Sequence, residues 1–223
     1  MANLKRFLNP LAVASMAGWV GCTSMQKSEM PNAAQHRVAN VYHAVNKLPL
    51  EVRRVAVLPI AVDEQSPDAV AGRDAFGSVL LEELLQTHEF EAVPIPMSQL
   101  RRWFGKQTFG ADERLPAELL QRVEADTGCD AVLLTRLTAY RPYPPVLEGW
   151  NLRLVWSKST EILWGVDDIF DASDTEVAAA ARKQFKTQEA VSVAAADPSA
   201  ALTSPRRIAQ YALRSVLRTM PKH

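Results

Sequence analysis

The sequence predicts an α/β fold: a mixed sheet with helices packed on it, built from early parallel crossovers and then a three-strand antiparallel meander. Two observations carry this. The run RVAVLPI at 54–60 is continuously apolar and closed by Pro59, the mark of a strand buried on both faces, and an amphipathic helical stretch follows it. Residues 131–140, 150–156 and 161–170 then read as consecutive strands joined by short links. In the second of these, Trp150, Leu152, Leu154 and Trp156 alternate with Asn151, Arg153 and Val155, which predicts one core face and one largely wet face. In the third, Ile162, Trp164, Val166 and Phe170 share a face.

The first element is an address. Residues 1–22, MANLKRFLNPLAVASMAGWVGC, place Lys5 and Arg6 ahead of a mostly apolar run at 7–20. That layout is a bacterial secretory signal, short for a membrane span. Gly21-Cys22 at its end resembles a lipobox, although the two places before Gly21 hold Trp19 and Val20. The expectation is a signal peptide over 1–21 and a lipid, palmitate included, on Cys22. Thr23 rather than Asp after the cysteine resembles the sorting pattern for the outer membrane, and so points to its periplasmic face. Residues 22–49 are then the lipidated cysteine and a flexible tether, and 50–220 a single α/β domain. As random coil the tether reaches about 30 Å. Within it, residues 36–47 fit a short helix with Val38, Val41, Tyr42 and Val45 on one side, and His36 and His43 read as solvated.

In the domain, 62–72 reads as a loop with a turn at Ser66-Pro67-Asp68. Residues 73–87 form a helix with Phe76, Leu80 and Leu84 as the apolar stripe and Glu82 and Glu83 facing out. The strand at 90–95 carries Pro94, which suits an edge or a strand end. Ser98 is placed to cap a short helix through 104. Pro116 opens a helix through 127, with Leu119, Leu120 and Val123 buried and Gly128 as its stop. After the meander, 174–185 is helical and 189–201 is rich in Ala, Ser and Val and low in complexity. Ser204-Pro205 begins a last helix whose core side is Ile208, Tyr211, Leu213, Val216 and Leu217.

Several of these stretches carry a family resemblance: RRVAVLPI at 53–60, LLQTHEFEAVP at 84–94, GCDAVLLTRLTAYRPYPP at 128–145, NLRLVWSKSTEILW at 151–164 and SPRRIAQY at 204–211. They resemble the periplasmic α/β domain shared by the curli-secretion lipoprotein, the TolB amino-terminal domain and lipoprotein activators of penicillin-binding proteins. The resemblance implies a binding or assembly module and no enzyme. Relatives often place Thr-Gly in the last hairpin, where this chain has Ser159-Thr160.

Composition narrows the classes further. Without Lys5 and Arg6, a chain starting at Cys22 has 23 basic and 25 acidic side chains, a net charge of −2, which is no footprint of a nucleic-acid binder. No Gly-x-Ser-x-Gly and no phosphate loop occurs. Cys129 precedes a buried strand and reads as a packed small hydrophobe. His88 sits at a helix end, where its charge suits the dipole. Asp167, Asp168, Asp171 and Asp174 are the densest acidic cluster; they read as a charged strand edge, with calcium as the alternative. In Tyr140-Arg-Pro-Tyr-Pro-Pro145, Tyr140, Arg141 and Tyr143 are candidate partner contacts, on a segment that is either a rigid turn or a polyproline ligand. No catalytic residue, cofactor or metal is expected. The expected partners are the membrane, through the lipid on Cys22, and an envelope protein; homo-oligomerisation stays open. A subunit of a curli-type secretion channel is the alternative function, and a hydrolase the second.

Overall fold

The computed structural model describes residues 36–189 and 200–223. Cys22, and residues 190–199 of the low-complexity stretch, lie outside the described residues. Six strands form one sheet in the order β1-β6-β5-β4-β2-β3. They are β1 Val41–His43, β2 Arg54–Val57, β3 Glu91–Pro94, β4 Ala131–Arg141, β5 Leu147–Trp156 and β6 Ile162–Asp171. β2 pairs in parallel with β3 and β4, and β4, β5 and β6 form the antiparallel meander. The predicted fold class is therefore the observed one.

Among the described residues, five α-helices pack on the sheet: α1 Pro67–Leu85, α2 Met97–Phe104, α3 Leu119–Thr127, α4 Thr175–Glu189 and α5 Pro205–Leu217. Right-handed crossovers running in opposite directions from a central strand place their helices on opposite faces. Accordingly α1 leads from β2 to β3 on one face, and α2 and α3 lead back to β4 on the other. The first face, with α1, α4 and α5, holds the larger core of Val55, Leu133, Trp150, Leu152, Leu154, Trp164, Val166 and Phe170. The second core joins Ala56, Leu58, Val132, Leu134 and Val155 to Leu100, Leu119 and Val123.

α1 begins earlier than expected. Ser66 is its N-cap, Oγ accepts the Ala69 N–H at 3.3 Å, and Pro67 fills the first helical position, so the expected loop over 62–72 contributes its second half to the helix. Glu83 does not face out. It is buried and takes a bidentate ion pair from Arg214 of α5, at 2.7 and 2.9 Å, because α5 packs along that side of α1. Ser98 is not a cap: α2 starts after Pro96 and has no side-chain cap. Ser204 stands at the N-cap of α5 without a side-chain bond. Gly128 ends α3 at φ 66°, the left-handed stop the sequence predicts.

Residues 36–47 are not a helix. Val41–His43 is an edge strand, antiparallel to β6, with Val41 opposite Val166 and His43 opposite Trp164. Val38, Val41 and Val45 pack against the larger core, so the apolar spacing is real but serves the sheet. His43 is exposed, as expected, while His36 is half-buried. His43 Nε2 lies 2.6 Å from the Thr219 carbonyl, and His36 Nε2 lies 3.8 Å from Asp168. The part of the expected tether from 36 to 49 thus lies on the domain.

The β5–β6 register is reached by an unexpected route. A three-residue turn of Lys158, Ser159 and Thr160 would set Trp156 opposite Ile162, Leu154 opposite Trp164 and Leu152 opposite Val166. The last two pairs are present, but Val155 faces Ile162. Trp156 N–H donates to the Glu161 carbonyl, so the turn has four residues. Alone, that length would shift the pairing by one and split the Trp between faces. Leu163 is an extra residue, a β-bulge between Ile162 and Trp164, and it restores the phase. Ile162 consequently leaves the Trp face and packs at the second core. That second face of β5 is also drier than expected: Val155 and Asn151 are buried.

Candidate functional site

α2 and α3 cover the second face of the sheet only over β3, β2 and β4, with Val155 of β5 at their margin. Beyond them, β5, β6 and β1 present a face with no helix on it among the described residues. The strand period puts Asn151 and Arg153 of β5, Gly165, Asp167 and Ile169 of β6, and Asn40 and Tyr42 at β1 on this side. Tyr42 is 56% exposed and Ile169 54%, high values for large apolar side chains. Tyr42, Asn151, Arg153, Gly165 and Asp167 line a shallow depression of about 360 Å³.

Gly165 forms part of its floor, opposite Tyr42 on one side and Arg153 on the other. A Cβ there would meet nothing closer than 3.5 Å, so a side chain at this position would project into the depression without disturbing the sheet. Arg153 and Ile162 also line an adjoining hollow of about 280 Å³, walled by Leu115, Leu120, Leu134 and Val155. The two form a trough, polar and aromatic toward β1 and apolar toward α3. Among the described residues, Asn151 Oδ1 has no hydrogen-bond partner although Asn151 is 7% exposed, and neither Arg153 nor Asp167 has an ion-pair partner. An exposed Tyr, an unpaired Arg and an unsatisfied amide beside an apolar hollow form the mixture found at the centres of protein interfaces.

The predicted contacts at 140–143 fall elsewhere. Tyr140 is half-buried against Phe76, with ring centroids 5.4 Å apart, and burial, aided by the nearby Glu148 carboxyl, pushes its hydroxyl up to about 12. Arg141 Nε donates to the Pro145 carbonyl at 2.6 Å, and its guanidinium lies 3.5 Å from Asp171. Tyr143, 67% exposed, stands open at the tip of the link.

The acidic cluster lies just past the stretch of β6 that β1 covers: β1 pairs with residues 164–166, and the Asp167 N–H donates to the Asn40 carbonyl. Its members are engaged separately: Asp168 accepts the Ala39 N–H, Asp171 accepts the Ser173 N–H and hydroxyl, and Asp174 accepts the Glu176 and Val177 N–H groups at the start of α4. Asp167 alone belongs to the open face. Among the described residues, no three His, Cys, Asp or Glu side chains are grouped to hold a metal. Cys129 is a buried free thiol in the second core.

No protein-family model and no curated protein matches this chain. Among solved structures it is similar to the PelC dodecamer from Paraburkholderia phytofirmans, at 12% identity and a TM-score of 0.46, over 82% of this chain and 99% of that one. It is similar to the lipoprotein GNA1162 from Neisseria meningitidis at 19% identity and a TM-score of 0.39, over 63% of this chain and 99% of that one. It is also similar to the LpoB C-terminal domain from Escherichia coli at 13% identity and a TM-score of 0.35, over 57% and 86%.

The sequence reading missed one buried group. Glu148 is fully buried beside Trp150, whose Nε1–H donates to Oε2 at 3.1 Å, while Oε1 has no partner among the described residues. Burial raises its carboxyl well above the ordinary range, and the Trp150 bond only partly offsets this. The signal was present: extending the period of Trp150, Leu152 and Leu154 back by two residues places Glu148 on the core face.

Proposed function

We propose that this chain is a non-catalytic module of the bacterial cell envelope that docks an envelope protein on the uncovered face of β5, β6 and β1. In this reading a lipid on Cys22 anchors it at the periplasmic side of the outer membrane. The observation that carries the docking role is the trough around Arg153, where exposed Tyr42, unpaired Arg153 and Asp167, and a bare Gly165 meet an apolar hollow. The anchor is supported by the signal layout of residues 1–22 and the polar residues that follow Cys22. For a secretion-channel subunit, membrane-crossing hairpins of about ten residues per strand are required. The ten-residue strands β5 and β6 are internal strands of the sheet, already paired on both sides, which weighs against that use.

The test uses a photo-crosslinking residue in place of Tyr42 in living cells. The expected result is one discrete crosslinked envelope protein, lost when Gly165→Gln fills the depression while the melting temperature stays unchanged. In parallel, Cys22→Ser should abolish lipid labelling and move the protein out of the membrane fraction. Crosslinks indifferent to Gly165→Gln would overturn the docking face; lipid labelling that persists in Cys22→Ser would overturn the anchor.

A further inference from the structure

On the opposite side of the sheet, α4 and α5 diverge around a cavity of about 280 Å³. Lys183 and Gln184 of α4, Arg214 and Ser215 of α5, Arg218 at its C-cap, and His36 from the approach to β1 line it, and among the described residues no carboxylate does. Arg214 directs Nε and Nη2 to Glu83, which neutralises that acid. The other acid near the rim, Asp168, lies 3.8 Å from His36. Lys183 and Arg218 are exposed and have no ion-pair partner among the described residues. The amide nitrogen of Gln184 is sealed from water with no acceptor among them either. A buried N–H without an acceptor is unfavourable, and Gln184 is one of the residues that line this cation-rich cavity. The terminal torsion of Gln is soft, so the amide can rotate toward a ligand in the cavity.

The geometry points to an anion site between α4 and α5 that takes a phosphate-type oxyanion, held by Lys183 and Arg218 as charges and by Gln184 as a neutral donor. A tetrahedral oxyanion offers acceptors in several directions at once, which matches donors arriving from two helices, and charge-assisted bonds of this kind are the stronger class. The oxyanion is either free phosphate or the headgroup phosphate of an anionic lipid. The site is separate from the trough, lies on the other side of the sheet, and does not depend on it.

The experiment titrates the full-length protein, in neutral detergent, with inorganic phosphate and with short-chain phosphatidylglycerol, using short-chain phosphatidylcholine as the control, and reads the heat of binding. Saturable binding of phosphate identifies the free ion as the source. Binding of phosphatidylglycerol alone, with phosphatidylcholine inert, identifies the headgroup. In either case Lys183→Gln with Arg218→Gln should weaken binding by about tenfold or more. Gln184→Leu, which keeps both charges, should weaken it by a smaller factor. Retained melting temperatures establish that the variants are folded. No saturable binding of either probe, or binding unchanged in the double variant, would overturn the site.

Discussion

Glu148 faces the hydrophobic core with one carboxyl oxygen unpartnered, near Trp150 of its own strand and Tyr140 of β4. Its carboxyl is raised in the folded state, so between the ordinary range, about 4.3, and the folded value the native protein holds a proton that the unfolded chain has lost. Stability from this group is fully present below the ordinary range and is lost as pH rises toward the folded value. Glu148→Gln mimics the protonated acid, keeps the acceptor for Trp150 and has no proton to lose. Urea melts from pH 4 to 8 should show a downward slope in the wild type that the variant lacks; parallel curves would refute the assignment. Thr160 is a second residue under strain. Its φ of 63° is the left-handed region that a β-branched residue adopts poorly. Thr160→Gly should stabilise the protein by about 0.5–1 kcal/mol, read as a rise in the denaturation midpoint.

Elements were legible in proportion to how far local pattern settles them. The meander strands show alternation around Trp150 and Trp164, and the structure bears out their bounds to within three residues. β1 was not legible, because Val38, Val41 and Val45 fit a helical stripe, and a three-residue strand takes its identity from β6 beside it. Glu83 was misread for a related reason: helical period cannot say that a second helix packs on a given side. That α1–α5 contact is testable. Arg214→Leu leaves Glu83 buried and unpaired and should cost about 3–5 kcal/mol. The double variant with Glu83→Met removes both charges and should recover much of that loss in equilibrium unfolding. A double variant no more stable than Arg214→Leu would contradict the burial of the pair.

At the scale of the whole molecule, the order of crossovers decides where a binding face exists. Two helices do not span six strands, so among the described residues the half of the second face beyond β4 stays open. The sequence contained the polar signs of this, Asn151, Arg153 and Asp167, but it had no way to say which helices would stop short of them. The covered half gives a probe of global stability. Cys129 is completely buried in the second core, between the end of α3 and the start of β4. Its thiol should react with an added reagent only when the domain opens as a whole, so labelling rates should track the free energy of global unfolding across a urea series. Fast labelling in the absence of urea would show that the α2–α3 layer detaches on its own.

The extra residue at Leu163 separates two jobs that hairpins usually combine. Since the bulge sets the phase of Trp164 and Val166, the turn between Trp156 and Glu161 has only to reverse the chain. Its tip, Lys158 and Ser159, is exposed. The hairpin is therefore a natural graft point: a reporter or epitope loop inserted between Lys158 and Ser159 leaves the strand pairing to the bulge.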